Sequence, residues 1–315
     1  MTVTPEQSIQ NLGNPLRDVR KQFDEIVIPF RPELWRYCYR ITGSPWDAED
    51  LVQETLIKAF SSLAQLWQPI NPKGYLFKIA SNTWIDQCRK MKGKMDSIEM
   101  TSEPVYVEEY DSFAIEGAME HLVIHLPPRQ RVVLLLIDVF QFKAKEVGAI
   151  IGTTEGAVKS LLNRGRGKLK QLNEQTLEGS HEPLTNEEKE LINKYIQAFN
   201  RRDPDGIANL LDENMNHDIV HIAMEYGRDV VRKYSLADWA KDPVEMTAEM
   251  HYLWGRPAVV QFGKINDAVA VYDVTLLKIE NGKIIEMKDY YFCPELLSEA
   301  AAFLQIEAFP RNYTL

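Results

Sequence analysis

Aromatic and cationic side chains are interleaved between Tyr75 and Lys90, and this mixture suits a nucleic acid whose bases are unstacked. Aromatic rings stack on exposed bases, while cations follow the phosphates of the same strand. The aliphatic residues of the segment fit a helix core. For Trp84 a core position is the competing interpretation. We assign four residues to a melted DNA strand: Asn82, Trp84, Arg89 and Lys90.

A second cationic segment covers residues 159–170, which hold five cations and no acid. A short helix, the turn Gly152-Thr153-Thr154 and this basic helix form the pattern of a helix-turn-helix. In that motif the start of the second helix reaches base edges, and its cations hold phosphates. A merely solvated face is the competing interpretation. The predicted base-proximal residues are Glu155, Gly156, Lys159 and Ser160, and the predicted backbone contacts are Asn163, Arg164, Arg166 and Lys168.

Histidines and aspartates in the last third of the chain are the candidates for acid–base chemistry. His217 and His221 are spaced to lie on one face of a strand, but the sequence offers no third ligand beside them. We favour satisfied polar side chains over catalytic ones here, and we predict no metal, no cofactor and no catalytic residue. A small-molecule pocket, if the domain has one, is predicted to involve His217, His221, Tyr252, Trp254 and Asp289.

The elements that position these residues divide the chain into helical and mixed parts. Helical periodicity runs from Phe23 to Lys92, and Ser44 is placed to cap a helix that begins near Pro45. Strand-like segments follow an amphipathic helix at Asn186–Arg202, and Asn281-Gly282 predicts a hairpin. The predicted divisions are a helical domain at 15–94, an acidic linker at 95–112, a helix-turn-helix domain at 113–173, a polar linker at 174–185 and an α+β domain at 186–309.

Charge is distributed unevenly along the 315 residues, whose net charge is -10. Residues 1–180 hold 22 Lys+Arg and 23 Asp+Glu, whereas residues 181–315 hold 14 and 23. The first part is therefore nearly neutral with local basic patches, and local patches decide what a surface attracts. The start of the chain lacks the pattern of a signal peptide, and the three cysteines match no metal spacing. We expect a cytoplasmic protein that makes no use of a membrane.

Two segments resemble extracytoplasmic-function (ECF) sigma factors of RNA polymerase. The string from Asp47 to Phe60 resembles the helix of region two that docks on the polymerase, and the segment Pro72–Lys90 resembles the promoter-reading helix of the same region. Leu126–Val133 together with Lys145–Arg166 resembles region four, although Gly148 stands where the family usually has Ala. The resemblance implies a polymerase-binding face made of Asp47, Asp50, Gln53 and Glu54.

The end of the chain resembles the SnoaL-like fold, also called nuclear-transport-factor-two-like. The resemblance rests on the opening segment Tyr195–Asp203 and the closing segment Gly282–Tyr291. It implies a cone-shaped α+β domain behind two all-α sigma domains. Asp289 stands where some enzymes of this fold keep an acid, but the fold also occurs in non-catalytic sensors, so it fixes no function.

These resemblances imply a non-enzymatic factor whose partners are core RNA polymerase and promoter DNA. The last domain is expected to regulate it, through contact with the sigma domains or through a small-molecule ligand. Two alternatives remain at this point. One is a SnoaL-like enzyme or ligand sensor tethered to DNA by the helix-turn-helix, and the other is a conventional helix-turn-helix regulator that binds duplex DNA without polymerase.

Overall fold

The computed structural model describes residues 5–65, 70–95, 125–169, 184–265 and 268–310. These residues form two compact units, one helical and one α+β, which meet in the sequence near residue 175. Within the described residues, no helix is long and apolar enough to cross a lipid bilayer. The predicted linkers at 95–112 and 174–185 fall almost entirely outside the described residues.

The first unit is built from helices whose ends follow the local sequence. Ser44 has an extended backbone, and its hydroxyl accepts a hydrogen bond from the Asp47 amide at 3.4 Å, which starts the next helix as predicted. Gly43 ends the preceding helix in the left-handed region at φ 83°. The first four helices are α1 (Pro5–Val27), α2 (Arg31–Thr42), α3 (Pro45–Ser61) and α4 (Pro72–Met95).

The helix-turn-helix follows in the same unit. Helix α5 (Pro128–Leu134) runs into a π-helical turn at Leu135–Val139, and then α6 (Ala144–Ile151) and α7 (Glu155–Leu169) complete the motif. Gly152 ends α6 at φ 65°, a conformation that glycine adopts without strain. The sequence therefore predicted both helices of the motif and the turn between them.

The second unit is an α+β domain with one mixed sheet. Its strands follow the order β2-β1-β6-β5-β4-β3, and β7 pairs with β5. Most neighbours are antiparallel, but β1 runs parallel to β6 and β7 runs parallel to β5. The elements in chain order are α8 (Asn186–Asn200), α9 (Pro204–Ala208), β1 (Leu211–Ile219), β2 (Ala223–Tyr226), α10 (Arg228–Lys233), α11 (Ser235–Trp239), β3 (Thr247–Leu253), β4 (Arg256–Ile265), β5 (Ala268–Glu280), β6 (Lys283–Asp289), α12 (Pro294–Leu304) and β7 (Glu307–Ala308).

Helix α8 supplies the apolar side chains that pack in the core of this domain. Its buried residues, among them Tyr195 and Phe199, join Met215 of β1, Val259 of β4 and Met287 of β6 in one cluster. Asn281 and Gly282 both have positive φ, at 51° and 71°, in the predicted hairpin between β5 and β6. Two opening helices followed by strands is the order that the SnoaL-like resemblance implies.

Candidate functional site

Helix α7 separates an apolar face from a polar one. Val158, Leu162, Gly165 and Leu169 are buried, and Gly165 lies against Gln130 and Leu134 of α5. This packing fixes which side of α7 is left to solvent. The eight predicted DNA-contacting residues are all exposed: Glu155, Gly156, Lys159, Ser160, Asn163, Arg164, Arg166 and Lys168.

The charged residues of α7 are held differently from one another. Lys159 pairs with Glu155 at 2.6 Å, and the hydrogen bond from Lys159 lowers the pKa of Glu155. Arg166 makes two contacts to the Asp138 carboxylate, at 2.5 and 3.1 Å, which raise its already high pKa. Among the residues that the structure describes, Arg164 contacts the Ser160 carbonyl of its own helix, at 3.4 Å. Arg164 can therefore turn to a phosphate at less cost than Arg166.

The predicted polymerase-binding residues occupy the solvent side of α3. Asp50 is exposed, whereas Asp47, Gln53 and Glu54 are half-buried. Glu54 is tied to its own unit, because Lys58 lies 2.6 Å from its carboxylate and the Gln87 amide of α4 donates to it at 2.7 Å. Asp50 is thus the most exposed of the four predicted polymerase-binding residues.

The predicted melting residues on α4 fall into two groups. Arg89 and Lys90 are exposed, and Arg89 pairs with Asp86 at 2.9 Å. Asn82 and Trp84 instead contact the helix-turn-helix half of the unit. The Asn82 side-chain amide donates to the Ile150 carbonyl at 3.1 Å, and Trp84 is only 6% exposed, with the Arg131 guanidinium 5.0 Å from its ring centre.

A buried polar cluster lies on the sheet of the α+β domain. His217 of β1 is 3% exposed, and its Nδ1 lies 3.1 Å from the Glu225 carboxylate, on the opposing residue of β2. On the other side, His217 Nε2 lies 3.8 Å from Oδ2 of Asp289 on β6, which is an ion-pair distance rather than a hydrogen bond. The structure therefore brings together two predicted pocket residues, His217 and Asp289.

The two groups shift each other's ionisation. Burial alone would lower the pKa of His217, but the Asp289 and Glu225 carboxylates outweigh it, so the pKa is raised. Burial alone would raise the pKa of Asp289. His217, Asp273 and the Tyr291 amide favour the charged carboxylate, however, and hold its pKa below the usual value. The cluster is therefore arranged to hold an imidazolium beside a carboxylate.

The other predicted pocket residues do not join this cluster. Tyr252 lies on β3, which is separated from β1 by β4, β5 and β6. Trp254 lies in the turn after β3, where its ring meets Phe303 of α12 at 6.0 Å between centroids. His221 follows the end of β1 with a φ of 72°.

Sequence reasoning did not identify Glu225, Asp273 or Arg131 as site residues. Glu225 and Asp273 reach the cluster only through strand pairing, which brings β2, β1, β6 and β5 side by side. Arg131 belongs to the sequence motif that opens the helix-turn-helix domain, and that motif was the one signal in the sequence that could have pointed to it. Its burial at 5% exposure beside Trp84 depends on tertiary contacts.

Comparisons with known proteins agree with this arrangement. The family models described as Sigma-70 region 2 and Sigma-70, region 4 match residues 26–93 and 116–169. The ECF RNA polymerase sigma factor SigG of Mycobacterium tuberculosis (strain CDC 1551 / Oshkosh) is 33% identical over 230 residues, which are 64% of this chain and 62% of that protein. The chain thus spans about three fifths of that relative's length.

Two further comparisons cover different parts of the chain. The ECF sigma factor SigE of Mycolicibacterium smegmatis (strain ATCC 700084 / mc(2)155) is 33% identical over 162 residues, 47% of this chain and 60% of that protein. The crystal structure of the M. tuberculosis ECF sigma factor SigJ covers 84% of this chain and 95% of its own, at 18% identity and a TM-score of 0.32. The chain therefore contains the two sigma-70 regions at residues 26–93 and 116–169, and the curated relatives named here are ECF RNA polymerase sigma factors.

Proposed function

We propose that this chain directs core RNA polymerase to promoters and initiates transcription, with its α+β domain regulating that activity. The observation that carries the proposal is the exposed polar face of α7, whose eight residues stand opposite an apolar face that packs on α5. Such a helix can enter the major groove and leave its cations to the phosphates. The polymerase supplies the chemistry, so the sigma regions need no catalytic group, and the factor works in the cytoplasm with the polymerase.

The surface of α3 supports a role beyond duplex binding. Asp50 is exposed near the start of the helix, in the position that the resemblance assigns to the polymerase. A conventional helix-turn-helix regulator would have no use for this surface. The proposal therefore predicts that a charge change here removes polymerase binding while duplex DNA binding remains.

The variant that tests this is Asp50→Lys, because Asp50 is the exposed one of the four residues assigned to the polymerase. We expect Asp50→Lys to lower the affinity for core polymerase by at least about tenfold, since it places like charge at a docking surface. Size-exclusion co-elution and fluorescence anisotropy measure this. Glu25→Lys makes the same charge change at an exposed residue of α1 and serves as the control. Equal polymerase binding by both variants would reject the docking assignment.

Regulation by the α+β domain is proposed from charge. Residues 181–315 hold 14 Lys+Arg and 23 Asp+Glu, and an acidic domain is suited to contact the basic face of α7. Comparing transcription by the full chain with transcription by a chain that ends after residue 178 shows whether the α+β domain inhibits or supports initiation. Higher activity after truncation indicates inhibition, and lower activity indicates that the domain supports initiation. Identical activity would contradict a regulatory role.

A second candidate function rests on the buried cluster of His217, Glu225 and Asp289. A paired imidazolium and carboxylate can bind a small polar ligand or transfer a proton, so the α+β domain would be a ligand sensor or an enzyme. Asp289→Asn distinguishes these from a purely structural cluster. A sensor loses the response to a ligand-containing cell extract, and an enzyme loses turnover of a compound from that extract. If Asp289→Asn keeps both the ligand response and the turnover, the cluster has only a structural role.

A further inference from the structure

A row of polar side chains crosses the sheet of the α+β domain from β1 to β4. Strand pairing sets the row, because Thr275 of β5 lies opposite Asp289 of β6, and Gln261 of β4 lies opposite Asp273 of β5. His217 of β1 continues the row beyond Asp289, at 3.8 Å between Nε2 and Oδ2. The row therefore extends the cluster of His217 and Asp289 across four neighbouring strands.

This polar row lies on the apolar face of the sheet. Met215 precedes His217 by two positions on β1, and Val259 precedes Gln261 by two positions on β4. Both apolar residues belong to the core that α8 covers, and residues two positions apart on a strand share a face. His217 and Gln261 are each 3% exposed, whereas the Asp289 side chain is 22% exposed. A small molecule can therefore reach the row at Asp289.

Polar atoms in and beside the row lack hydrogen-bond partners among the residues that the structure describes. They are Gln261 Oε1, His217 Nε2 and, on α11, Trp239 Nε1. The Gln261 side-chain nitrogen donates to the Thr275 hydroxyl at 2.9 Å, so its amide is held in place while the oxygen stays unpaired. Burying a polar atom without a hydrogen bond costs free energy, and such atoms point to a ligand that completes them.

The row holds more carboxyl groups than cations. Burial opposes the ionisation of Asp289, but His217 and a hydrogen bond from Asp273 hold its pKa below the usual range. Asp273 donates this hydrogen bond only while it carries a proton, because two carboxylates in contact repel each other. The other ring nitrogen of His217 is taken by Glu225 at 3.1 Å. A positively charged ligand can therefore take the place of the proton between Asp273 and Asp289.

Aromatic rings of the helices lie beside the two aspartates. Burial and the nearby Asp289 and Asp273 carboxyl groups raise the pKa of Tyr195 on α8, so its phenol stays neutral. The Phe199 ring lies 6.4 Å from Tyr195 and 4.6 Å from Trp239 between centroids. Faces of such rings attract cations and also pack against apolar groups. The surroundings of the row thus suit a cation with an apolar body.

We propose that this row binds a small organic cation, a primary amine whose ammonium is held by Asp289, Asp273 and Gln261 Oε1. The N–H donors of an ammonium match these acceptors, and hydrogen bonds between charged groups are the strong ones. The apolar body of the amine packs against the rings of α8 and α11. Because the ammonium displaces the proton of Asp273, binding releases a proton. The inference rests on the proposed function, since it names the class of ligand through which the α+β domain would regulate initiation.

Isothermal titration calorimetry of the full chain tests the proposal with matched probes. Three probes share one apolar body and differ in the head group: 2-phenylethylamine, 2-phenylethanol and phenylacetate. Propylamine is a smaller amine, and Mg²⁺ is a cation without an apolar body. We expect an amine to bind at least about tenfold more tightly than the alcohol, the acid or Mg²⁺. Titrations in two buffers of different ionisation enthalpy should show that amine binding releases a proton.

Variants of the row place the binding. Asp273→Asn should weaken amine binding by at least about tenfold and abolish the proton release. Gln261→Leu keeps both aspartates, so it should weaken binding by about threefold to tenfold and retain the proton release. Glu249→Gln is the control, because Glu249 is exposed and follows the core residue Ala248 on β3, so it lies on the other face of the sheet. Circular dichroism checks that each variant is folded.

Two results would overturn the proposal. One is that neither amine binds, or that the alcohol, the acid or Mg²⁺ binds as tightly as the amines. The other is that the folded row variants bind amine as tightly as Glu249→Gln does, because the amine would then be held elsewhere. These titrations contain no polymerase. A full chain that binds amine but gives no promoter-dependent transcript would therefore count against the proposed function and not against this site.

Discussion

Arg164 and Arg166 stand two residues apart on α7, yet they should contribute differently to DNA binding. Arg164→Ala should lower affinity for the distal promoter element and reduce the slope of log affinity against log salt by about 1, because one phosphate contact is lost. Arg166→Ala should cost less DNA affinity, because binding DNA first requires Arg166 to leave Asp138. Fluorescence anisotropy over a salt series measures both.

Asp138→Asn is the matched control for this pair, since it releases Arg166 without removing a cation from α7. It should leave the effect of Arg164→Ala unchanged and enlarge the effect of Arg166→Ala. An unchanged salt slope in Arg164→Ala would show that α7 does not hold phosphates through this residue.

His217 should make the stability of the α+β domain depend on pH. Its pKa is raised in the folded state, so its contribution is complete below the unfolded value of about 6.5 and is lost as pH rises through the folded pKa. Asp289 has a lowered pKa, so its contribution is complete above about pH 4 and is lost at lower pH. Glu225 and Asp273 face the pair of His217 and Asp289. The cluster should therefore stabilise the α+β domain most between about pH 4 and pH 6.5.

The measurement is the melting temperature of the full chain and of His217→Gln between pH 4 and 9, followed by circular dichroism of the β-sheet. The difference between the two proteins should shrink as pH rises above about 6.5. A difference that stays constant across this range would mean that the imidazole is neutral when folded.

The turn of the helix-turn-helix should be sensitive at Gly148. A Cβ at this position would lie 2.8 Å from the Thr153 carbonyl oxygen, and the Thr153 amide already donates to the Gly148 carbonyl at 2.8 Å. Gly148→Ala gains about 1 kcal/mol of helix propensity but forces a backbone shift that costs about 1–3 kcal/mol. We therefore expect net loss of stability, although the family usually has Ala here.

Gly167→Ala is the control, because a Cβ there meets nothing within 4 Å. It should raise the free energy of unfolding by about 0.5–1 kcal/mol. Urea denaturation of both variants, followed in the helical signal, measures the contrast. A gain for Gly148→Ala equal to that for Gly167→Ala would show that the turn relaxes freely.

Elements with strong local signals were predictable from the sequence. Ser44 caps α3, and Asn281-Gly282 turns between β5 and β6, because each depends on a few adjacent residues. The short helix α9 ends at Ala208, and β1 then runs from Leu211 to Ile219. Strand β2 was not foreseen, because its four residues are mostly exposed and lack an apolar face.

The residues of the candidate sites also divide into those that local sequence predicts and those that it does not. The polar face of α7 follows from the helix-turn-helix pattern and helical periodicity, so its eight candidate residues could be named in advance. His217 and Asp289 are separated by 72 positions, and only the parallel pairing of β1 with β6 brings them together. The covering of Trp84 by Arg131 likewise depends on the contact of α4 with α5. Side chains whose environment is set by distant segments could not be placed from sequence.

At the scale of the whole molecule, two surfaces of the sigma regions are open and one is covered. The residues proposed to meet duplex DNA on α7 are exposed, as is Asp50 of α3, which is proposed to meet polymerase, while Asn82 and Trp84 contact the other half of the unit. The α+β domain, with its acidic balance, is the proposed source of further control.

The central claim is that this chain initiates transcription at promoters, and runoff transcription tests it most directly. The full chain is mixed with purified core polymerase and a pool of genomic fragments, beside Asp50→Lys and the Glu25→Lys control. We predict discrete transcripts with the full chain and the control, and their loss with Asp50→Lys. The absence of promoter-dependent transcripts from the full chain, with folded protein and active polymerase, would contradict the account.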